Sequence, residues 1–284
     1  MFFTTKAASK KRAELPPMGA VSAVGSRSNG GTSRLPRGIQ AMVGSGFPVL
    51  DGPHYLDVLE HLHTVIEPEW YLEIGTNKGD SLKRCPGNFV SVDPDFLLKN
   101  FEIGDNKHGF FFQQTSDDFF ATDFLAKNGI VPRYGFLDGL HRFEYLLRDF
   151  IAFEKNSSVD GVAVLHDCLP FNAEMTSRVW DKAAIRFWTG DVWKTFAILK
   201  EFRPDLSLQV LDAYPTGLVL VSDLDPASTV LQDAYEDVVA RYMNVDIETF
   251  GVENYFKSLE IEASAVAIEA LKDKLAGSRS EKGA

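Results

Sequence analysis

Hydrophobic residues along this chain form short continuous runs that alternate with longer segments of helical spacing. Continuous apolar runs are typical of strands that helices cover on both faces, because such strands need no polar side. They predict seven strands, at residues 70–72, 89–92, 110–114, 134–137, 162–165, 208–211 and 217–221. In the clearest helical segment, residues 143–151, apolar residues recur at i, i+3, i+4, i+7 and i+8. The alternation predicts an α/β fold with a mostly parallel sheet.

The last two predicted strands are joined by a short link at residues 214–217. A parallel crossover needs a dozen or more residues, so this hairpin-like link predicts an antiparallel pair. The expected architecture is therefore a seven-stranded α/β sheet, mostly parallel with one late antiparallel strand, and with helices on both faces.

A helix over residues 54–66 precedes the first strand, with Tyr55 among the apolar residues on one face. Its three histidines, His54, His61 and His63, do not share a face with helical spacing. They are expected to be solvent-exposed and not to form a metal site.

The first strand ends in an acidic residue followed by two spaced glycines, in the order Glu73, Gly75 and Gly79. Glycines let the backbone turn tightly and approach a ligand at the carboxyl end of a strand, where open α/β sheets bind their ligands. A plain junction between a strand and a helix has a similar pattern. The G-x-G-x-x-G motif that dinucleotide enzymes need is absent from this position.

Two further polar positions follow the second and third strands. Asp93 lies 20 residues after Glu73, where a carboxylate is well placed to accept both ribose hydroxyls of a nucleoside, although it could also cap a helix signalled by Pro94. Ser116 and Asp117 follow the third strand, where two compatible roles are open: capping the next helix and contacting an adenine edge.

Strands four and five each deliver an aspartate and a histidine to the same edge of the sheet. These residues are Asp138, His141, His166 and Asp167. Structural capping explains one such pair, but two pairs beside a nucleotide loop indicate a catalytic site. His141 is the first candidate for a general base, His166 is the second, and Asp138 would orient the base or bind a metal.

These motifs resemble the class I S-adenosylmethionine-dependent methyltransferases, and more specifically the family often labelled methyltransferase 24. The resemblance covers about residues 55–222. It rests on the glycine loop, on Asp93, and on the pattern Phe136-Leu137-Asp138-Gly139-x-His141-x-Phe143-Glu144, followed by Asp149 and a final His166-Asp167. It implies a Rossmann-like methyltransferase sheet and S-adenosylmethionine as cofactor. The implied cofactor-binding residues are Glu73, Gly75, Thr76, Gly79, Asp80, Ser81, Asp93, Ser116, Asp117 and Asp138.

The resemblance also raises the question of a divalent metal. Catechol-type methyltransferases of the same superfamily bind magnesium with an Asp after strand four and Asp-Asn after strand five. Asp138 and Asp167 match two of these positions, but Cys168 replaces the Asn and is a poor ligand for a hard cation. The candidate metal ligands are Asp138 and Asp167, with His141 as the first choice for a third, and an imidazole ligand from His141 or His166 favours manganese, iron or zinc. A metal-polarised acceptor and a neutral His141 base near its unperturbed pKa both remain open.

An insert at residues 172–203 interrupts the regular alternation and contains three of the four tryptophans, with Arg and Lys between them. Two interpretations are open: a cap that recognises a planar, sugar-like or anionic acceptor, or a helical hairpin that packs its tryptophans on the sheet. The methyltransferase domain is predicted to span residues 48–225. Residues 226–284 predict two helices, near 231–242 and 255–275, that pack on the domain or form a homo-oligomer.

Charge is unevenly distributed along the chain, whose net charge is −11. Residues 1–47 carry seven Lys/Arg and one Glu without apolar periodicity, which predicts a disordered basic tail, with a transit peptide as the alternative. The remaining 22 Lys/Arg and 39 Asp/Glu disfavour nucleic acid as the main substrate. No apolar run approaches the roughly 20 residues that span a bilayer. Two cysteines without a C-x-x-C pair indicate a reducing, cytoplasmic compartment.

The sequence therefore predicts an enzyme that transfers a methyl group from S-adenosylmethionine to an oxygen of a small molecule or glycan. The first alternative is a metal-dependent enzyme with other chemistry on the same fold, such as a hydroxylase. The second is a cofactor-binding protein without catalytic activity.

Overall fold

A computed structural model of the chain describes residues 37–99, 101–102 and 108–282. Residues 1–36, which form most of the predicted tail, lie outside the described residues. Within the described part, no helix is both long and apolar enough to cross a membrane.

The sheet has eight strands in the described part of the chain. They are β1 (Trp70–Ile74), β2 (Asn88–Val92), β3 (Gly109–Phe112), β4 (Tyr134–Leu137), β5 (Val162–His166), β6 (Ser207–Leu211), β7 (Leu218–Ser222) and β8 (Ile261–Glu262). Their order is β3-β2-β1-β4-β5-β7-β6-β8. Strands β1 to β5 pair in parallel, and β7 runs antiparallel between β5 and β6.

This topology confirms the predicted fold class, an α/β Rossmann-like sheet with a late antiparallel strand. It also adds an eighth strand, β8, which pairs in parallel with β6. A strand of two residues is too short to produce a recognisable hydrophobic pattern, and for that reason the sequence predicted only seven strands.

Ten α-helices surround the sheet in the described residues. They are α1 (Arg37–Gln40), α2 (Tyr55–Ile66), α3 (Ser116–Ala121), α4 (Phe124–Lys127), α5 (Phe143–Asn156), α6 (Trp193–Phe202), α7 (Val230–Tyr242), α8 (Ile247–Phe250), α9 (Val252–Lys257) and α10 (Ser264–Lys282). Short 3-10 helices occur at Leu82–Arg84 and Glu174–Thr176.

Two apolar layers lie on opposite faces of the sheet because side chains of a strand alternate between its faces. Leu72 and Leu137 belong to the layer beneath α5, α6 and α7. Tyr71 and Tyr134 belong to the layer beneath α2 and α10. The strands are therefore apolar on both sides, which explains their continuous hydrophobic runs.

The second predicted C-terminal helix, at residues 255–275, is divided in the structure into α9, β8 and α10. The side chain of Asp212 accepts hydrogen bonds from the backbone amide and the hydroxyl of Ser264, at 2.8 and 2.6 Å, and so fixes the start of α10. Both α10 and α7 pack on the body of the protein, against α2 and against α5 and α6 respectively. A homo-oligomer through these helices stays a prediction.

The exposure predicted for the histidines of α2 was wrong for His63, which is only 6 % exposed. Its ring lies 6.2 Å from that of Tyr71 and 6.1 Å from that of Tyr134. Helix α2 lies between the sheet and α10, so that more than one apolar stripe of this helix is covered.

Residues 37–47, which we call the N-terminal strap, lie against the insert although the charge pattern assigns them to the tail. Ile39 is 7 % exposed and forms a small apolar cluster with Phe171 and Met175. The backbone amide of Gly44 donates to the carbonyl of Phe171 at 2.8 Å, and the side chain of Asn172 donates to the carbonyl of Met42 at 3.0 Å. The strap therefore connects the beginning of the fold to the insert.

Deleting residues 1–47 should lower the free energy of unfolding by about 2–4 kcal/mol relative to deleting residues 1–36. The longer deletion exposes the partners of Ile39 and removes the strap's hydrogen bonds to the insert, which together account for this range. Urea denaturation of the two shortened chains measures the difference. Equal unfolding midpoints would show that the strap contributes nothing to stability.

Candidate functional site

The loop that follows β1 packs tightly against the end of β4. Gly75 has a φ of +86°, a conformation that favours glycine. A Cβ atom at this position would lie 2.0 Å from the carbonyl oxygen of Asp138. Gly79 has a φ of +77°, and a Cβ there would lie 2.7 Å from the side chain of Leu98. Gly75 is thus required by a backbone contact within the protein and Gly79 by its positive φ, apart from any ligand.

Three of the predicted cofactor residues, Glu73, Thr76 and Ser81, hold this loop in place through buried hydrogen bonds. Glu73 is fully buried, and its carboxylate accepts hydrogen bonds from the hydroxyls of Tyr71 and Ser81 at 2.6 and 2.9 Å. Burial raises the pKa of Glu73 to about 7. The hydroxyl of Thr76 lies 2.7 Å from that of Ser91 in β2. The loop is therefore anchored to β1 and β2.

Asp80, another predicted cofactor residue, has a side chain that is 59 % exposed. Its carboxylate lies 3.4 Å from the ammonium of Lys83. Asp80 therefore lies at the surface.

Asp93 connects the end of β2 to the glycine loop. One carboxylate oxygen accepts the backbone amide of Asn77 at 2.7 Å, and the other accepts the amide of Asp95 at 2.7 Å. A carboxylate has about four lone-pair positions, so two remain for other donors such as ribose hydroxyls. Residues 94–99 contain no helix, which removes the alternative that Asp93 caps one.

Neither of the two polar residues predicted after β3 provides the side-chain cap of α3. Thr115, rather than Ser116 or Asp117, caps α3 by accepting the amide of Asp118 at 3.1 Å. The carboxylate of Asp117 binds the guanidinium of Arg148 on the outer side of α5, at 2.8 and 2.6 Å. The side chain of Asp117 is therefore bound to α5.

The four residues at the carboxyl ends of β4 and β5 meet at one edge of the sheet. Asp138 Oδ1 lies 3.0 Å from His166 Nδ1 and 3.4 Å from His141 Nε2. His141 Nδ1 lies 3.2 Å from Asp167 Oδ2. The hydroxyl of Thr216 donates to Asp167 Oδ1 at 2.5 Å. We call Asp138, His141, His166 and Asp167 the Asp-His cluster.

Charges within the Asp-His cluster shift its protonation. Burial lowers the pKa of His141, but the hydrogen bond to Asp138 and the charge of Asp167 outweigh burial and raise this pKa to about 9. The pKa of His166 is raised against the effect of burial by the charges of Asp138 and Asp167. Burial also acts to raise the pKa of Asp138, but both histidines lower it. Without a bound cation, His141 is therefore protonated at neutral pH, contrary to the expectation of a neutral base near its unperturbed pKa.

The donor atoms of Asp138, His141 and Asp167 fit a divalent metal ion, since they all lie within 4.8 Å of one another. His141 Nδ1 lies 2.9 Å from the carbonyl of Trp188. Donation of the Nδ1 proton to that carbonyl leaves Nε2 as a ligand, which is the usual arrangement of metal-binding histidines. Two carboxylates and an imidazole suit manganese, iron or zinc.

Cys168 does not complete this donor set. Its thiol is buried and lies 3.5 and 3.8 Å from the carbonyls of His166 and Val192. Burial raises the pKa of the thiol, which keeps it protonated. The third ligand expected for magnesium in the catechol-type pattern is therefore missing at this position.

No family model matches the chain, the methyltransferase 24 model included, and no curated protein matches its sequence. Several solved structures have a similar fold. The cofactor-bound protein Rv0187 from MTB is 15 % identical, over 60 % of this chain and 80 % of that one, with a TM-score of 0.44. The O-methyltransferase TomG from Streptomyces achromogenes, in complex with S-adenosylmethionine, is 17 % identical over 59 % and 78 %, with a TM-score of 0.41.

An O-methyltransferase from Bacillus cereus, in complex with S-adenosylhomocysteine, is 15 % identical over 64 % of this chain and 86 % of that one, with a TM-score of 0.41. All three TM-scores are below 0.5. A functional conclusion therefore has to come from the residues of this chain.

The insert does not form a helical hairpin. Its residues before Trp193 form turns and one 3-10 helix, and Trp193 begins α6, the regular helix between β5 and β6. Trp193 is buried in the core, whereas Trp188 stacks on His141 and Trp180 stacks on the far side of Trp188.

Two cations of the insert, Arg178 and Lys194, are already paired. Arg178 binds Glu144 of α5 and lies 2.6 Å from Asp191, and the buried Lys194 lies 2.7 Å from Asp191. Asp191 also accepts the backbone amide of Phe143 at 3.1 Å, at the start of α5. These cations hold the insert on α5 and are not free to bind an anionic acceptor.

Asp149 was not assigned a role from the sequence, although it lies 2 % exposed beneath the site. Burial raises its pKa to about 7. One carboxylate oxygen would lie 3.2 Å from a Cβ built on Gly139. Asp149 follows the buried Leu146 by three residues and precedes the buried Phe153 by four. A carboxylate on the apolar face of a helix is the signal that could have identified it.

Proposed function

We propose that this protein is an S-adenosylmethionine-dependent methyltransferase that methylates an oxygen of a small molecule or glycan. One observation carries the proposal: the glycine loop and the Asp-His cluster are in direct contact, with no room for a Cβ between Gly75 and the carbonyl of Asp138. A methyl donor bound along this loop would lie beside groups able to activate a hydroxyl. Methyl transfer needs this juxtaposition, because the sulfur, the methyl group and the acceptor oxygen have to be aligned.

We assign the cofactor to the carboxyl ends of β1, β2 and β4. Asp93 is proposed to accept the ribose hydroxyls through its two remaining lone-pair positions. Gly75, Gly79 and their buried anchors hold the loop around the rest of the cofactor. Ser116 remains a candidate for the adenine side, whereas Asp117 is engaged by Arg148. S-adenosylmethionine would supply the methyl group as an electrophile on a sulfonium centre.

We assign a divalent metal to Asp138, His141 and Asp167. A bound metal would polarise the acceptor hydroxyl and lower its pKa. The protein orients these ligands: the Trp188 carbonyl holds His141 Nδ1, and His166 Nδ1 and the Thr216 hydroxyl hold the two aspartates. His166 is thus proposed to orient Asp138 rather than act as the base.

A metal-dependent enzyme with other chemistry is the second candidate. The observation that favours it is the donor set itself, since carboxylate and imidazole ligands also suit iron and manganese enzymes. Transfer of a labelled methyl group from S-adenosylmethionine to an acceptor separates this candidate, and a non-catalytic cofactor-binding protein, from the proposed function.

Asp93→Ala should weaken the binding of S-adenosylmethionine by about 10- to 150-fold, or about 1.5–3 kcal/mol, the range for hydrogen bonds to a charged group. Isothermal titration calorimetry measures this loss. Asp95→Ala is the matched control, because it removes an exposed carboxylate and leaves the backbone amide that contacts Asp93. Tight binding of NAD together with no binding of S-adenosylmethionine would refute the cofactor assignment.

A further inference from the structure

Three aromatic rings form a column that ends at the Asp-His cluster. The rings of Trp180 and Trp188 are 5.5 Å apart with an interplanar angle of 5°. The rings of Trp188 and His141 are 5.1 Å apart with an angle of 18°. His141 thus has a nearly parallel aromatic neighbour, which restricts the plane of its imidazole.

The backbone of the insert contacts His141 independently of these rings. The carbonyl of Trp188 lies 2.9 Å from His141 Nδ1, closer than Asp167 Oδ2, which lies 3.2 Å from the same nitrogen. Gly190, with a φ of +58°, passes so close to His141 that a Cβ there would lie 1.6 Å from the His141 carbonyl oxygen. The insert therefore contacts the ring face, the ring edge and the backbone of the same histidine.

The column is itself anchored within the insert. The indole N–H of Trp188 donates to the carbonyl of Ser177 at 2.6 Å, and that of Trp180 donates to the carbonyl of Ile185 at 3.0 Å. Arg178, the residue after Ser177, binds Glu144 and Asp191 and so attaches this part of the chain to α5. Both indole N–H groups are used inside the insert, which makes the two tryptophans part of the framework rather than donors to an acceptor.

We propose that Trp188 is a positioning residue for His141, with Trp180 as its support. Its carbonyl holds the proton on Nδ1 and its ring holds the imidazole plane, so that Nε2 faces Asp138 and the site. This inference rests on the proposed function for its catalytic meaning, but the geometry that it describes exists without an acceptor or a cofactor.

Two contacts are needed because an imidazole ring has a broad side-chain torsion and two nitrogens of similar shape. A flipped His141 would present a carbon atom where Nε2 now lies. One ring stack and one hydrogen bond together favour a single orientation by about 10- to 100-fold. Loss of an outer partner of a metal-binding histidine typically weakens metal binding by a similar factor, about 10- to 100-fold.

The test uses the full-length protein with ¹⁵N-labelled histidine. We expect a slowly exchanging Nδ1–H signal, assigned to His141 by its absence in His141→Gln. Trp188→Leu, which keeps the backbone carbonyl but removes the stack, should broaden or remove this signal and weaken zinc binding by about 10- to 100-fold. Trp188→Phe keeps a stacking ring and should restore both. Trp70→Leu removes an indole from β1, outside the cluster, and should change neither.

The proposal is overturned if the native protein lacks the signal, or if Trp188→Leu keeps both the signal and the zinc affinity. Binding of S-adenosylmethionine should stay within about threefold of native in Trp188→Leu. If that variant loses more, its fold is disturbed, and the Nδ1–H signal of Trp180→Leu, one ring further from the site, decides the matter: a broadened signal supports the proposal and a native signal overturns it. If the native protein binds neither S-adenosylmethionine nor zinc, the proposed function fails while the Nδ1–H signal still decides the positioning role.

Discussion

Gly75→Ala should abolish the binding of S-adenosylmethionine and lower the free energy of unfolding by about 2–5 kcal/mol. Two costs combine in this range: the left-handed backbone conformation, about 1–2 kcal/mol, and overpacking against the end of β4, about 1–3 kcal/mol. The new Cβ would lie 2.0 Å from the carbonyl oxygen of Asp138. Because that contact is with backbone, relief requires the ends of β1 and β4 to separate, and the site is built on both.

Gly129→Ala is the matched control for this prediction. Gly129 also has a positive φ, +63°, but a Cβ there would have no atom within 4 Å. Gly129→Ala should therefore lower the free energy of unfolding by the conformational cost alone, about 1–2 kcal/mol, and should keep the native cofactor affinity. Urea denaturation and calorimetry measure the two quantities. A Gly75→Ala protein with native affinity would mean that the loop after β1 does not bind the cofactor.

His141→Ala should lower kcat by about 10²–10⁴-fold, the usual range for a group that moves or controls a proton. The affinity for S-adenosylmethionine should change little, since no proposed cofactor contact involves the imidazole. His61→Ala is a suitable control, because it removes an imidazole from α2 that contacts the carbonyl of Asp57 rather than the cluster. Assays with labelled S-adenosylmethionine, once an acceptor is known, give kcat for each protein.

Chelation decides which role His141 has. If a metal is required, chelated enzyme should be inactive and a restored metal should recover its activity.

If His141 is instead the base, chelated enzyme should stay active only where the imidazole is neutral. Its rate should then rise with pH and level off above about 9, because the Asp138 and Asp167 carboxylates raise the pKa of His141 to about 9. Full activity after chelation, combined with a loss in His141→Ala, would rule out the metal mechanism. If neither treatment matters, the cluster has only a structural role.

The sheet could be predicted from the sequence because its strands are buried on both faces and therefore read as continuous apolar runs. Elements whose stability comes from a partner were harder to find. Strand β8 exists because it pairs with β6, and its two residues contain no pattern of their own. The start of α10 at Ser264 depends on Asp212, which lies 52 residues earlier in the chain.

The Asp-His cluster could also be predicted, since the carboxyl ends of adjacent parallel strands lie at one edge of the sheet. The roles of the surrounding residues could not be predicted in the same way. Asp191 forms ion pairs with Arg178 and Lys194, and Trp188 contacts His141, which lies 47 residues earlier in the chain. Trp188 and Asp191 belong to a segment without helical or strand periodicity. The path of such a segment is set by individual tertiary contacts, which no local pattern encodes.

The protonation of the Asp-His cluster would make loading of the proposed metal a proton-release reaction. A cation that binds through His141 has to displace the proton that this imidazole carries at neutral pH. For each proton displaced, the apparent affinity rises about tenfold per pH unit, and for His141 this continues up to the pKa of about 9. Acidification would therefore empty the site even at constant metal supply, so that occupancy of the centre depends on the local pH as much as on the free metal concentration.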